Sequence, residues 1–571
     1  MRSSPAARLR VLMLLAFCFV SAAQAQENTL RIGMSVAKVP RTTGQPDQGF
    51  EGIRFAAIPI FDSLTQWDLS KADQASQLEP GLALSWKVSP GDRKKWIFKL
   101  RQGVSFHDGT PFTADAVVWN VDKILDKDAP QYDPSQARVT ALMPTLRQAR
   151  RIDDYTVELS TSVEDSFFPI NLSTLFIASP AQWRKKLDAV PASVISPAER
   201  SRLAWNAFAN DASGTGSFKM AQLATLTLTE GMRVSGFGKF RDSAFNVREH
   251  LDLVKNPNYW DPKRRPQIDK VVFYPIPEAD ARVSALLAGQ VDWIESPPLN
   301  EVKMLQDKAF RVYANTQPHV WPWMLSFTAD SPWRDKRTRY AANLCINREA
   351  LKRQLGGMMD VATGIVEAGH PWRGNPKFQV RFDPDEGKRL MQQAGYSTAS
   401  PMKVKVQAAA FGSGQMMPIL MNEIISQNLK QCFFDVQFDI VEWNVVDGNR
   451  RVGARDPSAH GSNAINVSFS TMDPFLAMVR FVDTRAFPPV SQNWGYYSDP
   501  KVDDLIIQAR GTFDEKQRDA ILAQLHSAIV DDAVFIFVAH DVGTRIMSPR
   551  VKGVVQPKSW FIDIATMRLE R

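Results

Sequence analysis

Residues 79–120 read EPGLALSWKVSPGDRKKWIFKLRQGVSFHDGTPFTADAVVWN, and this stretch decides the fold. A polar turn at Ser89-Pro90-Gly91-Asp92 leads into Lys95-Trp96-Ile97-Phe98-Lys99-Leu100, where Trp96, Phe98 and Leu100 share one face. Alternation with that period predicts a half-buried strand. A second break follows at His107-Asp108-Gly109-Thr110-Pro111, and Thr113 then caps an apolar helix through Val117, Val118 and Trp119. A histidine beside Asp-Gly in a tight turn reads as a hydrogen-bonded structural residue rather than a catalytic one.

Outward from this stretch, 571 residues are too many for a single hydrophobic core, so two or three domains are expected. The composition, 44% hydrophobic and 23% charged, is that of a globular chain. The net charge of +8 falls to about +5 once Arg2, Arg8 and Arg10 of the N-terminal leader are set aside. The remaining basic residues are dispersed, with no aromatic-interleaved stripe, so no nucleic acid is expected as a partner. The leader itself, residues 1–25, has a positive start, an apolar core from Val11 to Val20 and Ala23-Gln24-Ala25 as a cleavage site. Phe17 before Cys18 is too bulky for a lipoprotein cleavage site. The expectation is a mature, unlipidated, monomeric periplasmic protein beginning near Gln26. Cys345 and Cys432 then remain, either bridged or as two separately buried thiols.

Further along, strands are expected at Leu30–Met34, Arg151–Ser160, Arg248–Lys255, Lys270–Ile276, Lys403–Val406, Val436–Val441 and Val534–Val538. Helices are expected at Ile53–Leu64, Ala279–Ala288, Arg334–Leu355, Asp383–Ala394, Met416–Gln431 and within Asp499–Asp531. The βαβ-like order after residue 320 predicts a separate α/β domain.

Enzyme signatures are missing. There is no G-x-S-x-G, H-E-x-x-H, Walker loop or G-x-G-x-x-G, and the seven histidines are scattered singly, which argues against a metal cage. No catalytic residue, metal or cofactor is expected. A binding cleft instead asks for aromatic walls and a few polar anchors, and Glu442 to Phe475 is the richest stretch for both.

The opening stretch, with Gly214–Phe218, Asn256–Trp260, Ala288–Asp292, Asp335–Arg348 and Tyr497–Pro500 following in order, resembles the bacterial extracellular solute-binding proteins of family 5. That class binds oligopeptides and dipeptides for ABC importers. The resemblance spans nearly the whole mature chain. It implies an α/β, two-lobed periplasmic-binding-protein clamp (type II, cluster C-like) with mixed sheets and a hinge. Lobe 1 would take residues 26–320, with an extra subdomain around 65–210. Lobe 2 would take 321–533, and 534–571 would return to lobe 1. The implied function is delivery of a peptide or peptide-like small organic solute to an inner-membrane ABC permease. A metal chelate, haem, sugar or opine is the alternative cargo, and a secreted hydrolase a rival of another class.

By the same resemblance, Trp443 lines the pocket and Arg450, seven residues on, meets a ligand carboxylate with its planar fork. Relatives that bind peptides hold the α-ammonium with an aspartate a few residues before the Asp473-Pro474 equivalent. Three residues before Asp473, this chain has Ser470. A hydroxyl leaves a buried ammonium unneutralised, so free-amine dipeptides are expected to bind poorly unless Asp473 serves instead. Phe469, Glu51, Phe55, Tyr132, Trp321, Trp323 and Trp494 are the other candidate contacts.

Overall fold

A computed structural model describes residues 28–224, 249–412, 414–469 and 473–570. The leader and Ser470 lie outside these residues.

The quoted stretch forms two strands, Ala83–Ser89 and Asp92–Leu100, followed by the helix Ala114–Leu125. Trp96, Phe98 and Leu100 are all buried, on the face the alternation specified. With Thr156–Thr161 and Leu146–Asp153 these strands make a four-stranded antiparallel sheet, packed against the helix over its own core. His107 ties this unit to the rest. Its backbone N–H donates to the Gly214 carbonyl at 2.8 Å, and its Nε2 lies 3.0 Å from the Gly216 carbonyl. Burial holds its imidazole down to about 4, so it is neutral and structural.

Two larger sheets carry the lobes. The first has seven strands in the order Arg311–Tyr313, Arg545–Met547, Trp293–Glu295, Thr29–Met34, Lys270–Pro275, His250–Lys255, Phe218–Ala224. The second has six: Met359–Val361, Phe535–Asp541, Val320–Leu325, Ala464–Asn466, Met402–Ala409, Phe434–Val441. Both mix parallel and antiparallel pairs. The pleat of Val320–Leu325 sends Trp321, Trp323 and Leu325 into one core and Val320 and Met324 into another, so both faces of this sheet are covered.

The chain crosses between sheets twice, between Tyr313 and Val320 and again between Asp541 and Arg545. The second crossing corrects the expected boundary at residue 534. Phe535–Asp541 pairs with Val320–Met324 and with Met359–Val361, so it is a central strand of the second lobe. The two crossing segments run side by side: Asn315 N–H donates to Val542 O at 2.8 Å and Gln317 N–H to Asp541 O at 2.7 Å. Gly543 sits there at φ +52, and a Cβ on it would lie 2.4 Å from Gln317 Nε2. Only glycine fits this turn without displacing its neighbour.

Cys345 and Cys432 form a disulfide inside the second lobe, joining the end of the helix Lys336–Cys345 to the turn after the helix Pro418–Lys430. Among the described residues no helix is long and apolar enough to cross a membrane.

Candidate functional site

Between the lobes lies a cavity of about 530 Å³, within the range of pockets that take small organic molecules. The first lobe supplies Trp67, Ser76, Gln77, Ile170 and Lys558. The crossing supplies Thr316-Gln317-Pro318, and the second lobe supplies Glu367 to Trp372, Asp473-Pro474, Arg518 and Asp519.

Its walls are held by local geometry. His370 caps the turn Pro371–Arg373, its Nδ1 accepting from Trp372 N–H at 3.1 Å, and its ring meets Trp372 edge-on at 4.9 Å. The Trp372 indole N–H donates to Asp519 Oδ1 at 2.7 Å, which fixes the ring plane. Burial lowers the His370 imidazole, so it presents a neutral ring. Lys558 and Glu367 face each other across the cavity at 3.5 Å, one from each lobe.

Asp473 stands where the helix Pro474–Val482 begins. Proline at the first position suits the start, and Asp473 Oδ1 accepts from Phe475 N–H at 3.0 Å. The other oxygen, Oδ2, is buried with no hydrogen-bond partner among the described residues. Burial pushes the carboxyl up to about 7; the Phe475 N–H and Arg518 oppose this, and Asp165 adds to it.

The lobes are latched beside this cavity. Ser166 N–H of the first lobe donates to Arg510 O at 2.8 Å. Next to it, Phe167 enters the core of the second lobe, stacked on Phe475 at 3.8 Å, edge-on to Trp372 at 6.2 Å and under the Arg518 guanidinium at 4.9 Å.

A second convergence lies apart from the cavity. The helix Trp443–Val452 puts Asp447, Arg450 and Arg451 on one face, as spacings of three and four require. Arg450 pairs with Asp447 at 2.5 Å and Arg451 at 3.3 Å, while Arg138 reaches it from the first lobe at 3.1 Å. Burial would raise the Asp447 carboxyl, but the three guanidiniums hold it well below the usual range.

Of the residues singled out in the sequence, Asp473 borders the cavity and Arg450 belongs to the arginine cluster. Trp443 is buried at the start of its helix, its ring against Gly412. Trp321 and Trp323 are not on the cavity wall. Their indoles donate to Gln415 O at 3.0 Å and Asn422 Oδ1 at 2.8 Å inside the second-lobe core. Phe469 stacks on Phe481 at 4.0 Å in the other core of that lobe, which also holds Trp494. Phe55 packs on Phe273 in the first-lobe core, and Tyr132 is half-buried away from the cavity. Glu51 belongs to a buried charge network with Arg54, Glu295 and Arg545 under the crossing. There burial would raise the Glu295 carboxyl, but Arg54 and Arg545 together hold it below its usual range. Trp67, Trp372, Lys558 and Phe167 were missed; single aromatics and lysines in loops carry no periodic signal.

The family model described as bacterial extracellular solute-binding proteins, family 5, middle, matches residues 77–484. Among curated relatives, heme-binding protein A of Haemophilus influenzae is 24% identical over 512 residues, 87% of this chain and 84% of that protein. The glutathione-binding protein GsiB of Pectobacterium atrosepticum is 23% identical over 504 residues, covering 86% and 85%. Among solved structures, the periplasmic binding protein DppA of Helicobacter pylori, in complex with the peptide STSA, superposes with a TM-score of 0.75. It shares 22% identity, over 95% of this chain and 98% of that one. The shared fold is the two-lobed one described above.

Proposed function

The chain belongs to the bacterial extracellular solute-binding proteins of family 5, and from that premise we propose that it traps a peptide or peptide-like organic solute between its lobes for an inner-membrane ABC permease. It works in the periplasm, as a monomer, after export by the leader, and it binds rather than turns over its cargo. Relatives whose names carry haem and glutathione, and a neighbour solved with a peptide, support an organic cargo.

The observation that carries the peptide reading is the Asp473 carboxylate beside the cavity, with one buried oxygen free among the described residues. An ammonium reaching Oδ2 would supply the counter-charge this group lacks and drive its ionisation. Asp473 thus takes the role that Ser470 cannot. Trp67 and Trp372 offer apolar surface to side chains, and closure follows because the solute touches both walls only in the shut state.

Calorimetric titration with short peptides, each with free and with acetylated N-terminus, tests this. Tight one-to-one binding that weakens on acetylation supports it. Equal affinity for both forms removes the ammonium anchor, and repeated conversion of substrate would replace the binding function altogether.

A further inference from the structure

The wall that the second lobe gives the cavity is a loop, and one buried imidazole is bonded to both ends of it. The loop, residues 363–375, carries Glu367, His370 and Trp372 to the cavity. A wall built on a loop is only as fixed as the scaffold beneath it. Here the scaffold is the helix Glu515–Asp531, on which Asp519, Ala523, His526 and Ser527 share a face, as spacings of three and four require. Asp519 holds the Trp372 indole, and Ser527 Oγ accepts from Asn375 N–H at 3.1 Å. Gly374 lies so close to Ala523 O and Ser527 Oγ that a Cβ on it would overlap both.

His526, 0% exposed, stands behind the wall. Its Nε2 accepts from Ile365 N–H at 3.1 Å and Val366 N–H at 3.4 Å, where the loop enters. Its Nδ1 lies 2.8 Å from Arg373 O, where the loop leaves. A ring nitrogen that accepts carries no proton, so the proton is on Nδ1 and is donated to the Arg373 carbonyl. Burial, with repulsion from Arg373, holds the imidazole down to about 3, so the Nε2 lone pair stays available at neutral and mildly acid pH. Arg373 closes the same loop from its other side. Its Nη1 donates to Val366 O at 3.1 Å, and its Nη2 to Thr363 O at 3.2 Å and to Thr363 Oγ1. Gly364 leaves the room this needs: a Cβ there would overlap both the imidazole and the guanidinium.

We propose that His526 is the positioning residue of the solute cavity: it touches no solute, and by binding both ends of one loop it holds Glu367, His370 and Trp372 where a solute meets them. The inference rests on the solute-binding reading and adds the residue that presets one wall of that site. Without the ring, the buried N–H groups of Ile365 and Val366 and the Arg373 carbonyl lose their partners, and the loop must shift to find others. The wall is then formed in only a fraction of the molecules, and the apparent affinity falls by that fraction.

Calorimetric titration of wild type, His526→Leu and His526→Gln tests the assignment, at a temperature where all three are folded. The probe is the free-amine peptide that wild type binds most tightly. His526→Leu fills the space and bonds nothing, so affinity should fall at least about tenfold. His526→Gln can set an amide oxygen where Nε2 stood and should bring binding back to within about threefold of wild type. Hydrogen exchange, which needs no solute, gives a second reading. The Ile365 and Val366 amides should exchange at least about tenfold faster in His526→Leu and regain protection in His526→Gln, while those of the strand Val320–Leu325 stay as in wild type. A residue that only filled the core would lower the melting temperature and leave both readings unmoved. Arg373→Met, at a half-buried residue closing the same loop, gives the affinity reading should His526→Leu fail to fold. Undiminished affinity in the folded variants, or unchanged protection of the two amides, overturns the inference and leaves the solute-binding reading standing. Should wild type bind no peptide, the peptide reading falls instead, and solute recovered from the native protein takes the peptide's place in the same variants.

Discussion

Replacing Asp473 by asparagine removes a charge while keeping the oxygen that accepts from Phe475 N–H, so the helix cap survives. What is lost is the group proposed to meet the solute's ammonium. A hydrogen bond to a charged partner contributes about 1.5–3 kcal/mol, so affinity for a free-amine solute should fall about 10- to 100-fold. The N-acetylated solute should be nearly unaffected. A second signature comes from protons. The Asp473 carboxyl is raised to about 7 in the folded chain, above its unfolded value of about 3.9. The stability held by its neutral form is therefore complete below pH 4 and is lost as pH rises through 7. Urea melts should show wild-type stability declining over that window relative to Asp473→Asn. Binding an ammonium at pH 6 should expel close to one proton, read as a binding enthalpy that varies with the ionisation enthalpy of the buffer. Equal affinity in wild type and variant, with no buffer dependence, would refute the reasoning.

Other changes probe the frame around the site. Phe167→Ala removes the ring by which the first lobe enters the core of the second; solute affinity should drop at least about tenfold, measured by calorimetry, because packing lost from the closed state shifts the equilibrium toward open. Reduction of Cys345–Cys432, or Cys345→Ser with Cys432→Ser, opens an 87-residue span and should cost up to about 4 kcal/mol in denaturant melts. Gly543→Ala places a Cβ against Gln317 in a left-handed turn; a loss of about 1–2 kcal/mol or more is expected in the same melts.

How far these features were legible in the sequence depends on how local their causes are. The alternation of Trp96, Phe98 and Leu100 announces its strand because one face meets the core and the other water. Phe535–Asp541 gives no such cue. All seven residues are buried, and an apolar run such as Phe535–Ala539 reads the same in either lobe until its pairing with Val320–Met324 is known. Asp447, Arg450 and Arg451 share a helix face, visible as spacing, whereas Arg138 and Arg480 join them from distant elements. Tryptophans were the poorest guide. Trp321 and Trp323 satisfy their indole N–H groups inside a core, while Trp67 and Trp372 border the cavity, and composition cannot tell these environments apart.

A clamp that shuts on an organic solute must become more compact when it binds. Small-angle X-ray scattering of the mature chain, stripped by partial unfolding and then mixed with solute recovered from the native protein, measures this directly. A smaller radius of gyration on saturation, reached by Phe167→Ala only at higher solute concentration, is the expected result. An unchanged radius with solute fully bound would contradict closure between the two lobes.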